Sequence, residues 1–318
     1  MIATRFLSFF LVTLSLCSSC TFFAQKNVDD VKNESVQPFK SPSVFDSAGK
    51  LNTDLLSLLD LMNIQHDGSL ADVVTKTQAQ WLRQVGKERW EMPEFVVDQL
   101  DQFLSLLDRL GCITQVAPAQ QHYDYALLLG ATLARMRTRL GYLITLWNQG
   151  IRFDKLVLLG GQRILEKDFE GLDALLDREN IDLPIRKDWQ FSGTLPTTEM
   201  QMMVLVYDQA EMPKEMRNVP VVMVDSPMRQ RSDGMPTRPT TIDTITDWLK
   251  TSPLAGSCLV LSNQPFVQYQ HSVVKTALPE QFFVETVGHA VEGENHHKAV
   301  YLDTVARWLY QENKRLGR

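Results

Sequence analysis

The chain has 318 residues, of which 44% are apolar and 22% charged, an ordinary globular composition with ample material for a large core. A formal net charge of −6, with no basic run in the body, argues against a nucleic-acid partner. Four cysteines show no zinc spacing: Cys17 and Cys20 lie near the start, while Cys112 and Cys258 stand alone in apolar settings, where a thiol behaves as a small hydrophobe.

Arg5 precedes Phe6-Leu-Ser-Phe-Phe-Leu-Val-Thr-Leu-Ser-Leu16, a positive start followed by an apolar run of signal-peptide length and too short to span a bilayer comfortably. The run ends in Leu16-Cys-Ser-Ser-Cys20, which resembles a bacterial lipoprotein signal, with Cys17 where leucine is usual. Residues 1–20 are therefore expected to direct export to the cell envelope, with lipidation at Cys20 holding the protein on the periplasmic side of a membrane. Cleavage near Ala24 and an uncleaved signal anchor are the alternatives. Residues 21–50 are polar and aperiodic and read as a flexible linker.

Residues 51–115 read as an all-helical layer. Thr53 is expected to cap a helix over 54–64, and Ser69 one over 70–85. Pro93 opens a third, with Val96, Leu100, Phe103, Leu104 and Leu107 on one stripe and Gly111 as its end. Such a layer is expected to pack on the following domain, as scaffold, as part of a ligand cleft or as a partner surface.

From 123 to 318 the pattern changes to short buried runs alternating with helices. Tyr125-Ala-Leu-Leu-Leu-Gly130 is a strand, followed by a helix with Leu133, Met136, Leu140 and Leu143 on one face and arginines on the other. Lys155-Leu-Val-Leu-Leu-Gly-Gly161 is the second strand. After a long excursion over 162–196, in which 171–179 is expected to form a short helix, come a helix over 197–210 and a strand over 219–225. Pro239 is expected to open a helix running to Lys250. Ser257–Ser262 and Gln281–Val287 are two further strands, with helices over 266–277 and 298–315. Continuous apolar strands joined by helices predict a doubly wound, mostly parallel five-stranded sheet in a three-layer Rossmann-like α/β sandwich.

The ordered run Leu-Leu-Leu-Gly130, an arginine-bearing helix, Gly160-Gly161, Thr198-Glu-Met200, a strand-ending acid, Thr240-Thr-Ile-Asp-Thr244 and Val260-Leu-Ser-Asn263 resembles the SanA/YdcF-like envelope proteins, a bacterial domain of unknown function. By that resemblance Gly130, Arg139, Gly160, Gly161, Glu199, Thr241, Asp243 and Ser262 are the site-forming positions. Pro265 and Gln268 replace the family's histidine and arginine, and Thr244 replaces an asparagine. The resemblance implies an envelope location and binding of a nucleotide or an S-adenosylmethionine-like molecule.

The residues themselves point to one rim. Strand-end glycines allow close backbone approach, and each following helix offers free N–H groups and a positive dipole end. Gly130, Thr132, Gly160, Gly161 and Arg163 are the candidate ligand-binding residues on this ground, and the resemblance adds Arg139, Thr241 and Asn263. Glu199, Asp243 and Ser262 are the candidate catalytic ones, with helix capping as the competing role for both acids. A Ser262–His289–Asp243 triad lacks a nucleophile elbow, and His289, Glu292, Glu294, His296 and His297 fit no ligand spacing, so no metal site is assigned. Neither Gly-Ala-Thr nor Gly-Gly-Gln-Arg is a dinucleotide fingerprint or P-loop, so the cofactor stays unknown. The expectation is a tethered α/β protein that binds an anionic small molecule, nucleotide- or sugar-phosphate-like, with catalysis left open. The alternative is a non-catalytic module that docks a protein partner through its helical layer.

Overall fold

A chain that leaves a buried strand through a helix and returns to the same sheet arrives parallel to where it left. The computed structural model follows that rule. Two-residue strands β1 (Gln37–Pro38) and β2 (Val116–Ala117) precede the long strands β3 (His122–Leu129), β4 (Arg152–Gly161) and β5 (Val221–Ser226). A detached ribbon, β6 (Arg229–Gln230) with β7 (Pro236–Thr237), leads to β8 (Ser257–Asn263) and β9 (Phe283–His289). The main sheet runs β1-β2-β9-β8-β3-β4-β5, and its five long strands are all parallel. Only β2 opposes its neighbour, pairing antiparallel to β9 through Val116 and Gly288. The structure describes residues 37–40, 43–84, 91–92, 95–166, 170, 172–178, 183–290 and 297–317. The expected leader, Cys20 and most of the linker lie outside them.

Helices α1 (Thr53–Leu61), α2 (Leu70–Trp81) and α3 (Leu100–Arg109) come first, then α4 (Leu133–Asn148) and α5 (Glu199–Gln209). A single turn, α6 (Lys214–Arg217), leads to α7 (Thr241–Leu249), α8 (Val267–Ala277) and α9 (Lys298–Arg315). Side chains alternate across each strand. Ala126, Leu128, Leu156, Leu158, Leu259 and Leu261 therefore pack with Met136, Leu140 and Leu143 of α4 and Met202, Met203 and Val206 of α5. Tyr125, Leu127, Leu129, Val157 and Val260 face the other way, toward Ile245 and Trp248 of α7 and Val274 of α8. This is the three-layer sandwich expected from the pattern.

The helical layer packs on the following domain through that domain's last helix. Leu55, Leu58, Leu59, Val73, Trp81, Phe103, Leu106 and Leu107 share a separate core with Tyr301, Leu302, Val305, Ala306, Trp308 and Leu309 of α9. The C-terminal helix is thus the wall between the layer and the sandwich, touching α2 on one side and α8 on the other. Local ends shift. Asn52, not Thr53, caps α1, its side chain accepting from the N–H groups of Asp54 and Leu55. The Ser69 cap on α2 stands where expected, accepting from Asp72. Helix α3 starts only at Leu100, which leaves Val96 84% exposed and outside its stripe. Pro93 lies outside the described residues. Pro239 precedes α7 rather than opening it, because the Thr240 side chain closes a capping box with Asp243. Of the described residues in 171–179, Leu172–Leu176 form a short 3-10 helix. Trp189 folds down onto α5, donating to Asp208 at 2.7 Å. Cys112 and Cys258 are free and buried, their thiols pushed up to about 12 by burial.

Candidate functional site

The long strands, numbered along the chain, lie in the order 3-2-1-4-5, so the winding reverses between β3 and β8. In open α/β sheets the crevice outside the strand C-termini at that reversal is where ligands bind. A cleft of about 320 Å³ opens there. Its floor is Leu129, Gly130 and Leu159; Ala131, Thr132, Arg135 and Arg139 come from the start of α4 and its preceding turn. Arg163, Glu199, Arg238, Thr240 and Thr241 close one side, and Phe266, Tyr269, Gln270, Arg307 and Arg83 the other. Among the described residues, six arginines and a single carboxylate therefore line it. Gly130 is required by close approach: a Cβ there would meet the Glu199 carboxylate at 2.8 Å and the Leu159 carbonyl at 3.0 Å.

Beneath this surface is a buried charge triplet. Arg163 donates to the Glu170 carboxylate and, at 3.3 Å, to Glu199. The side chains are 14%, 0% and 13% exposed, in the order Arg163, Glu170, Glu199. The other Glu170 oxygen accepts from the Leu133 N–H at 3.1 Å. Because Thr132 provides no side-chain cap, Glu170 supplies the anion that the N-terminus of α4 favours. Burial by itself would lower the Arg163 guanidinium, but the attraction of Glu199 and Glu170 outweighs it and holds the group above its usual range.

Burial raises the Glu199 carboxyl, and Arg163 offsets only part of that shift. A carboxyl raised on folding contributes stability that is complete below its ordinary value of 4.5 and is lost as pH climbs through the higher folded value. Relative to Glu199→Gln, the parent protein should therefore lose stability as pH rises from 4.5, by at most about 1.4 kcal/mol per pH unit. Urea titrations of both proteins across the acid range measure this. A difference independent of pH would show that Glu199 ionises as freely folded as unfolded.

The remaining cations are held differently. Arg139 is clamped by neutral oxygens: Asn263 at 3.0 Å, Leu129 at 2.9 Å and Gly130 at 3.0 Å. It ties the end of β3 to the end of β8 across the reversal point. Arg307 forks onto Asp303 at 2.8 and 3.0 Å, and the Arg83 backbone N–H reaches the same carboxylate at 2.9 Å. The helical layer and α9 thus contribute to the cleft wall. Arg135 stacks on Phe266, its guanidinium 4.5 Å from the ring centre, and burial lowers its pKa. Among the described residues, Arg135 and Arg238 have neither a hydrogen-bonded nor an ion-paired partner, and the hydroxyls of Thr132 and Thr241 donate to none.

Of the residues expected at the site, Gly130, Thr132, Arg139, Arg163, Glu199 and Thr241 come together in this cleft. Asn263 is buried behind it as the Arg139 acceptor and lines a smaller hollow of about 240 Å³ with Arg135, His289 and His297. Gly160 and Gly161 do not line the cleft. A Cβ on Gly160 would meet the sulfurs of Met203 and Met200 at 2.8 and 2.9 Å, and one on Gly161 the Pro239 ring at 2.3 Å. The pair lets α5 and the segment before α7 close onto β4, which is packing rather than ligand approach.

Asp243 is likewise outside the lining, spent on the Thr240 capping box and on Arg229 at 3.3 Å. Asp225 is exposed on the edge strand, accepting from Gln162 at 3.3 Å. Ser262 is wholly buried with no partner for its hydroxyl, and His289 turns its Nδ1 to the Ala290 carbonyl, so the two form no triad with Asp243. Glu292, Glu294 and His296 lie outside the described residues. Among those described, no three or more metal-ligating side chains cluster.

Sequence reasoning did not single out Glu170, Arg135, Phe266 or Tyr269 as site residues. Arg135 and Arg139 carried a signal, since four residues apart on a helix they share a face directed at the strand ends. Glu170 carried none, because its role depends on the path of a long excursion. No protein-family model matches the chain, and no curated protein or solved structure is significantly similar to it.

Proposed function

We propose that this protein binds an anionic small molecule, nucleotide- or sugar-phosphate-like, in the cleft at the ends of β3 and β8. The observation that carries this reading is the imbalance, among the described residues, of six arginines against one carboxylate in a concave site at the reversal point of a parallel sheet. The reading agrees with the SanA/YdcF-like resemblance and with an exported, lipid-tethered protein, for which Arg5, the apolar run over 6–16 and Cys20 are the support. No described helix is long and apolar enough to cross a membrane. Docking of a protein through the helical layer has less support, because the apolar faces of α1, α2 and α3 are turned into a shared core with α9.

Thermal-shift screening of the full chain against nucleotides, sugar phosphates and S-adenosylmethionine tests the reading. A binder at a hundred times its dissociation constant should stabilise the fold by about 2.7 kcal/mol. Thr241→Glu should abolish that shift. It adds a negative charge to the cleft at the first position of α7, where a carboxylate suits the helix dipole and leaves the fold intact. A shift that survives in Thr241→Glu would place the ligand elsewhere.

A further inference from the structure

The cleft's positive charges are not equally available. Arg163 stands between Glu170 and Glu199, and Arg139 among neutral oxygens, so across these four groups the charges cancel. Arg307 is neutralised by Asp303, and Arg83 has a partner of its own. Among the described residues, what is left uncompensated is Arg135 on α4 and Arg238 on the segment entering α7. The N-terminus of α4, where an open α/β sheet would ordinarily seat a phosphate, is already filled by the fully buried carboxylate of Glu170. Displacing it would strand Arg163, so an incoming anion is met by side-chain guanidiniums instead.

We infer that the cleft selects a dianion, a phosphomonoester group gripped between Arg135 and Arg238, a step that rests on the anion-binding reading above. Two unpaired guanidinium groups match the charge of about −1.5 to −2 that a phosphomonoester carries at neutral pH. The planar fork of each suits two phosphate oxygens. Phe266 holds the face of the Arg135 guanidinium, which leaves the N–H edges for the ligand. The hydroxyls of Thr132 and Thr241 line the same space and are available to the third oxygen.

Calorimetric titration of the full chain with methyl phosphate and with methyl sulfate, a monoanion of nearly the same shape, tests the inference at neutral pH. The expected result is binding of the phosphate at least about tenfold tighter than of the sulfate. Each of Arg135→Ala and Arg238→Ala should weaken phosphate binding by about tenfold or more. Arg135→Lys, which keeps charge and stem, should recover part of the loss. Arg229→Ala, outside the cleft, should leave binding unchanged. Equal affinity for the two anions, or indifference to both cleft substitutions, would overturn the dianion inference while an anion site sensitive to Thr241→Glu still stood. Absence of binding by either anion, together with no shift from any larger anionic ligand, would end both readings.

Discussion

Replacing Glu170 with alanine is expected to destabilise the fold by about 3–5 kcal/mol, measured by equilibrium urea unfolding. The substitution acts twice. It removes one of two carboxylates from Arg163, whose side chain is only 14% exposed, and leaves the cation short of compensation in a poorly hydrated place. It also strips the Leu133 N–H of its acceptor at the head of a sixteen-residue helix that lacks a side-chain cap. Breaking one side of a buried pair costs far more than replacing the pair by packed apolar groups. Arg163→Met in the Glu170→Gln background should therefore recover part of the loss, as a double-mutant cycle would report. A loss under about 1 kcal/mol for Glu170→Ala would mean that water reaches the triplet and that Glu170 does not seal the head of α4.

Trp81→Ala should cost about 3–5 kcal/mol, the range for truncating a large buried aromatic side chain. Trp81 is 1% exposed at the end of α2, within the core that α1, α2 and α3 share with α9. Nearby Gln78 donates to the Ala306 carbonyl at 2.9 Å. The effect should extend beyond stability, since the Arg83 backbone is tied to Asp303 and Asp303 holds Arg307 at the cleft. If the layer and the sandwich share one cooperative unit through α9, the urea transition of Trp81→Ala remains single and moves as a whole. Loss confined to an early, separate transition would show that the helical layer unfolds by itself and that α9 stays with the sheet.

These results turn on which parts of the molecule are local in origin. Periodicity was enough for the sandwich: strands such as Leu127–Leu129 and Val157–Leu159 are buried on both faces and read as apolar runs, and helices such as 298–315 read by their stripe. Capping chemistry was legible where it is local, at Ser69, and misplaced by one residue at Asn52, where an equally good cap precedes Thr53. Strand-end position put Gly130, Thr132, Arg163 and Glu199 on one rim, where they line one cleft with Thr241, because parallel strands have all their C-termini on the same edge. It could not tell a glycine that faces the cleft from one pressed by a helix, as at Gly160, nor a carboxylate that caps its own helix, as at Asp243.

The amino-acid order by itself determined the layers, the parallel winding and the rim on which polar groups gather, since each follows from hydrogen bonding and side-chain period within a few residues. Only the tertiary structure decided which charges on that rim are spent and which are free. Glu170 reaches the head of α4 from an excursion thirty-seven residues further along the chain, and Arg307 and Arg83 enter the cleft wall through α9 and the helical layer. Compensation of a buried charge is a property of what lies within a few ångströms in space, and no spacing along the chain encodes it.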